Sequence, residues 1–272
     1  MKEQIELKVH SWVENLQSTG NYAFSLNLIQ NQLSAFSDTA IKSSLSRLTK
    51  KGLILSIHKG YYLIIPPQYK SKGILPPALY LDAFMKELNR PYYLALLSAA
   101  AYHGASHQQP QEFFVVTTLP VLRPTYKKGL KVNYVSKKEL PEKLIETKKT
   151  EAGYLKISTP ILTATDLIQY EKRIGGINRV ATVLNELTEV IKPEMFTNYL
   201  LDNTPISALQ RLGYLLEYEF NNHSLADALF HSLITNEAKL FRIPLKASGK
   251  KNGFSSENRW KVIVNTSIEI DE

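Results

Sequence analysis

Ile41, Leu45 and Leu48 recur at i, i+4 and i+7 between Ser37 and Gly52. On a helix that spacing makes one buried stripe. It turns Thr39, Lys42, Ser43, Ser46, Arg47 and Lys50 onto the opposite face. These are hydroxyls and cations, donors that suit phosphate oxygens and base edges. A helix of this size fits the major groove with its N-terminal half nearest the bases. His58 and Lys59 follow beside Gly60, between two β-rich runs, within reach of the adjacent backbone or minor groove. Two other readings fit the helix taken alone: a solvated charged face, or a winged domain that mediates protein contacts. The hairpin placed directly after it favours DNA.

Catalytic chemistry finds less to work with. The chain has no cysteine, which excludes disulfides, thiolate zinc sites and cysteine nucleophiles together. His103 and His107 stand four apart, the spacing of a zinc pair. Gly104, however, stands where a metalloprotease places its glutamate, and helix-end hydrogen bonding explains the pair better. Glu146-x-Lys148 is half a nuclease motif without the Pro-Asp that should precede it. Glu269-x-Asp271 is the nearest approach to the paired carboxylates of a two-metal site, but it stands at the extreme tail, where a solvated end explains it better. Neither G-x-x-x-x-G-K-[ST] nor G-x-G-x-x-G occurs. The expectation is no enzyme: no catalytic residue, no metal and no cofactor.

A second basic feature lies further on. Between Arg123 and Lys149 are nine Lys or Arg and three Glu. A solvated surface is one reading of it. The other is a contact surface for an acidic partner or for DNA backbone, with Lys127, Lys128, Lys131, Lys137 and Lys138 as candidate partner-binding residues.

The elements that must hold these residues follow from periodicity. Leu7, Trp12, Val13 and Leu16 predict a first helix over about 3–18. Gly20-Asn21 breaks it. Ser25 caps a second helix over about 26–33, and Ser37 caps a third that runs to Lys50 or Lys51 before Gly52. Residues 53–57 and 61–65 flank His58-Lys59-Gly60 as a hairpin. That order is a winged helix-turn-helix. Pro66-Pro67 ends it, and the stretch from Lys70 to Pro77 reads as a linker. The expected division is therefore a DNA-binding domain at 1–70, a linker at 71–77 and a larger domain at 78–272. The second part opens with a helix near 78–88 and a small-residue helix near 94–102. Strands are expected at 113–117 and 154–157, then mostly helices. Thr163 and Asp166 have the spacing of a capping box. Gly175-Gly176 ends that helix and another spans about 177–189. Pro193 and Pro205 stand where helices begin, and residues 238–245 and 260–264 return to strand-like runs. The fold class is α+β, with the larger domain mixed α/β.

Length and composition agree. A chain of 272 residues accommodates two domains, and 44% hydrophobic with 21% charged residues is ordinary for a soluble globular protein. No apolar run approaches the ~18 residues of a membrane span. Met1 to Gln17 alternates polar and apolar residues, unlike a signal peptide, so a cytoplasmic location is expected. The net charge is +8, and it is densest at the front. Residues 1–70 hold eight Lys or Arg against four acids.

Several longer stretches resemble the AbiEi antitoxin family. They are Ser158 to Leu167 with Tyr170, Gly175 to Ala181, Leu184 to Leu187, and Gln210 to Glu217, together with Ser46-Arg47-Leu48 and Gly60-Tyr61-Tyr62 at the front. The matches fall in the right order over most of the chain. The resemblance implies a transcriptional regulator from a toxin–antitoxin system of the abortive-infection type. Its winged domain would repress its own operon at inverted repeats in double-stranded operator DNA. Its larger domain would counteract a nucleotidyltransferase-like toxin, with or without a stable complex. By position, Lys42, Ser43, Arg47 and Lys59 would touch DNA. Two other classes stay open: a ligand-responsive winged-helix regulator whose C-terminal domain senses a small molecule, and a nuclease or transferase with a DNA-targeting domain.

Overall fold

Ser25 and Ser37 each end an extended stretch and start a helix. The Ser25 hydroxyl accepts the Leu28 N–H at 3.3 Å and the Ser37 hydroxyl accepts the Ala40 N–H at 3.4 Å. Each satisfies a donor that the first helical turn leaves without a partner. The computed structural model describes residues 2–105, 112–151 and 153–270. It begins with α1 (Lys2–Ser18), β1 (Ala23–Ser25), α2 (Leu26–Gln32), α3 (Asp38–Lys50), β2 (Ile54–His58) and β3 (Tyr61–Ile64). The three strands order as β1-β3-β2, with Ala23 opposite Leu63 and Ile54 opposite Ile64. Three helices followed by a hairpin make a winged helix-turn-helix.

Its core is Val9, Val13, Phe24, Ile29, Ile41, Leu45, Leu48, Ile54 and Ile64, all buried. Side chains of this size each contribute roughly 1.5–3 kcal/mol on burial. Trp12 meets Phe24 edge-on at 5.1 Å, and the Tyr62 ring stacks on that of Phe24 at 5.4 Å. Leu7, expected on the inner stripe, is 65% exposed. Val9 takes the inward position instead. The strand β1 has no counterpart in the sequence reading, since three residues are too few to show alternation.

Contacts divide the chain into two compact units. The first gathers Met1–Tyr92, Gln111–Leu140 and Thr147–Lys156, the second Tyr93–Pro110, Pro141–Glu146 and Ile157–Glu272. In the first unit the wing is joined by α4 (Leu81–Glu87), whose Phe84 ring lies 5.0 Å from that of Tyr61. Residues 71–77, read as a linker, carry Ile74 and Leu75, both buried. The segment that follows β4 (Tyr92–Leu94) and α5 (Leu96–Tyr102) forms β5 (Glu112–Thr118), β6 (Thr125–Lys127) and β7 (Leu130–Lys137). β7 runs parallel to β5, from Glu112 opposite Lys131 to Thr118 opposite Lys137. The short β6 pairs antiparallel with β7. Between them Lys128 and Gly129 both take positive φ, 49° and 80°, the type I′ turn that matches strand twist. Most of the basic segment is thus strand.

The second unit is mainly helical. Leu94 at the end of β4 pairs in parallel with Ile157 of β9 (Gly153–Ser158), which follows β8 (Ile145–Thr150). Then come α6 (Pro160–Gln169), α7 (Ile177–Leu187), α8 (Asn198–Asn203), α9 (Ile206–Tyr214) and α10 (His223–Thr235). α6 is buried from Ile161 to Ile168. It begins at Pro160 with Thr159 as its cap residue, so Thr163 and Asp166 are not a capping box. Their side chains are spent inside the core: Thr163 donates to the Thr159 carbonyl at 2.9 Å. Pro193 opens a 3₁₀ turn and Pro205 precedes α9. The strand-like tail runs shrink to β10 (Ile243–Pro244) and β11 (Val262–Ile263), paired in parallel. No helix among the described residues is long and apolar enough to cross a membrane.

Candidate nucleic-acid interface

Helix α3 buries Ile41, Ser44, Leu45 and Leu48 and leaves Thr39, Lys42, Ser43, Ser46 and Lys50 exposed. Among the described residues, none of these five side chains makes a hydrogen bond or ion pair within the protein. The face is therefore a row of donors whose groups are all available. Asp38 lies in the first turn, where a carboxylate complements the positive helix end. At the wing, β2 and β3 are joined through Lys59 and Gly60, and Gly60 has φ 72°. His58 and Lys59 are both exposed. The His58 ring also rests 5.6 Å from Phe84.

Arg47 does not join the open face. Its Nε lies 2.7 Å from Glu6 Oε2 in α1, and its Nη2 donates to Ser44 Oγ at 3.2 Å. Lys51 reaches the other oxygen of Glu6 at 2.8 Å. One carboxylate of α1 thus joins two cations at the C-terminal end of α3. The Lys51 hydrogen bond, with the charges of Lys51 and Arg47, holds the Glu6 carboxyl below its ordinary value against the opposing effect of burial.

The five candidate partner-binding lysines are not brought together. Lys127 and Lys128 are exposed at the β6–β7 turn. Lys131 pairs with Glu112 at 3.1 Å, and Asn133 donates to the same carboxylate at 2.8 Å. Lys137 and Lys138 lie at the other end of β7, roughly 20 Å away at ~3.3 Å per residue. Beside the wing, in the first unit, is a cavity of about 540 Å³ lined by Ile57, His58, Phe84, Arg123, Tyr126 and Tyr134 among others.

In the second unit the longer sequence motifs converge on buried polar contacts. Tyr93 donates to Asp166 Oδ2 at 2.8 Å, with both side chains out of solvent. Burial, then the Asp166 charge, push the Tyr93 hydroxyl well above its ordinary range. Gln210 is fully buried and donates to the carbonyls of Phe241 and Trp260 at 2.7 and 2.6 Å. Trp260 donates its indole N–H to Glu217 at 2.7 Å, and Arg259 bonds the same oxygen at 2.6 Å. A Cβ on Gly213 would fall 2.1 Å from the Trp260 ring, so only glycine fits there.

This stretch coincides with a known domain. Residues 93–218 match the family model of the AbiEi antitoxin C-terminal domain. The chain carries an AbiEi antitoxin domain. No curated protein matches the sequence. Among solved structures, the crystal structure of RV2827C protein from Mycobacterium tuberculosis is similar over 92% of this chain and 89% of that one, with a TM-score of 0.66 and 17% identity. At that identity the likeness is one of fold, and it extends across both the winged helix-turn-helix and the AbiEi domain.

Two of the residues weighed for catalysis, His103 and Glu146, lie in the AbiEi domain. His103 is almost wholly buried. Its Nε2 lies 2.7 Å from the Ser158 carbonyl and its Nδ1 3.9 Å from Glu146. His103 is therefore held by the Ser158 backbone carbonyl with the carboxylate of the Glu146-x-Lys148 motif beside its other nitrogen. His107 and Asp271 lie outside the described residues. Among the described residues no group of three His, Cys, Asp or Glu is placed to hold a metal ion. Sequence reasoning missed the Gln210–Gly213–Glu217 receiving surface. The available signal was Gly213 near the end of α9 between the apolar residues Leu212 and Tyr214, with a tryptophan later in the chain to fill the gap.

Proposed function

We propose that the chain is a DNA-binding transcriptional repressor and antitoxin that autoregulates its operon and counteracts a nucleotidyltransferase-like toxin. The AbiEi domain supports the toxin–antitoxin role. The single observation that supports the DNA-binding half is the α3 face, where Thr39, Lys42, Ser43, Ser46 and Lys50 are exposed. Lys59 at the wing turn extends the same donor chemistry toward the flanking backbone. Hydroxyls and ammonium groups in one row match phosphates and major-groove base edges. Arg47 serves this reading by bracing α3 against α1 through Glu6, rather than by touching DNA itself. The function divides along the chain: DNA contact in residues 1–70 and toxin counteraction in residues 78–272. The protein works in the cytoplasm, where its operator and toxin are.

The test is binding of the purified chain to DNA from upstream of its own gene, with footprinting to find inverted repeats. Co-expression with the neighbouring gene tests the antitoxin half. Protection of cells from that gene product, and a footprint over paired repeats, are the expected results. A chain that binds the upstream DNA no better than unrelated duplex contradicts the repressor reading.

A ligand-responsive regulator is the second reading. It is favoured by the cavity beside the wing, whose volume falls in the ordinary range for small-molecule sites. A ligand seated against His58 and Phe84 would bear directly on the hairpin.

A further inference from the structure

The segment after α10 is as basic as the 123–149 segment. Between Ala238 and Val262 there are seven Lys or Arg and one acid, Glu257. Of the chain's ten phenylalanines, two are exposed, Phe241 at 50% and Phe254 at 41%, and both lie here. Single exposed apolar residues are ordinary. Two aromatic rings in one basic segment, joined by an arginine, are not. Arg242 donates through Nε to Ser256 Oγ at 2.9 Å and through Nη2 to the Phe254 carbonyl at 3.2 Å. Lys239 holds its ammonium 6.0 Å from the centre of the Phe241 ring, and Lys261 donates to the Leu240 carbonyl at 3.4 Å.

The backbone of Phe241 is also anchored by a side chain of the core. Gln210 accepts the Phe241 N–H at 3.4 Å and donates to its carbonyl at 2.7 Å. The backbone of Phe241 is thus fixed by a fully buried side chain while its ring stays in solvent. A ring presented this way loses little freedom when something stacks on it.

We propose that this surface binds single-stranded nucleic acid, with Phe241 and Phe254 stacking on bases and Lys239, Arg242 and Lys261 meeting the phosphates. Cations bordering exposed aromatic rings are the chemistry of sequence-tolerant single-strand binding. A duplex keeps its base faces stacked internally and offers the rings nothing. An acidic polypeptide would satisfy the cations but gives no reason for two outward phenylalanines. The proposal concerns a different surface from α3 and stands whether or not α3 reads an operator.

The experiment is fluorescence anisotropy of a labelled oligouridylate titrated with the full chain. Binding that weakens with salt is expected. Phe241→Ala with Phe254→Ala should weaken it about tenfold or more, since base–aromatic stacking carries that much. Phe241→Trp with Phe254→Trp should keep binding within about threefold of wild type, because stacking is retained. Binding of a mixed-sequence duplex should not depend on the rings. Wild-type affinity in an alanine variant with an unchanged melting temperature would overturn the proposal. So would polyglutamate displacing the probe as well as unlabelled oligouridylate, which would make this an acidic-partner surface. If the alanine variant does not fold, Lys239→Glu with Lys261→Glu decides: loss is expected, and unchanged affinity overturns it.

Discussion

Glu6 Oε2 lies 2.7 Å from Arg47 Nε, so the arginine that the sequence places on the recognition face is bound to the neighbouring helix. Arg47→Ala should therefore lower the melting temperature. It should leave the salt dependence of DNA binding unchanged, because no phosphate contact is lost. Lys42→Ala should do the reverse. Parallel thermal and salt titrations of the two variants separate the roles.

The same pair gives a pH dependence with a definite sign. The Glu6 carboxyl is held below its ordinary value of 4.5 in the folded protein. A depressed carboxylate contributes stability above its unfolded pKa and loses it as pH falls through the folded one. Glu6→Gln should lower stability near neutrality and flatten its decline below about pH 4.5. Melting temperatures measured from neutral to acid pH check this. Parallel curves for wild type and variant would remove Glu6 from the account.

Tyr93→Phe takes a donor from Asp166 inside the core. Weakening the satisfaction of a buried carboxylate costs about 1–3 kcal/mol, which denaturant unfolding resolves. The expected change is a lower midpoint with an unaltered slope.

Gly213→Ala drives a methyl into the ring of Trp260. The ring is fully buried, and overpacking of this kind typically costs about 1–3 kcal/mol. Trp260 fluorescence should shift toward that of a solvated indole as the C-terminal segment loosens. A variant with wild-type fluorescence and stability would show that the Trp260 ring makes room for a methyl without leaving the core.

Lys131→Glu differs from reversal of the other basic-segment lysines. It sets two carboxylates directly opposite in the β5–β7 register, Glu112 facing position 131, and like charges so placed are destabilising. Lys127→Glu and Lys128→Glu, exposed at the turn, should leave the melting temperature unchanged. Cell protection assays on this segment should use these two, with Lys137→Glu and Lys138→Glu tested separately.

How far the sequence reached depends on how local each determinant is. The caps at Ser25 and Ser37, the stripe of Ile41, Leu45 and Leu48, and the glycine turn of the wing are set within a few residues. All were legible, and so was the AbiEi resemblance, carried by motifs between Ser158 and Glu217. What was not legible depends on partners far along the chain. β1 exists because β3 pairs with it, Arg47 is diverted by a residue 41 positions earlier, and Glu217 finds Trp260 43 positions later. The Thr163–Asp166 spacing misled because a capping pattern inside an apolar helix is equally a pair of buried polar side chains.

The central claim is that the α3 face meets DNA. Its most direct test is the affinity of the full chain for its own upstream DNA, measured against salt for wild type and for Lys42→Ala with Lys50→Ala. A steep decline of log affinity with log salt is expected for wild type. The slope of the double variant should be shallower by roughly 0.9 for each phosphate contact removed. Equal affinity and equal slope for the two proteins would contradict it.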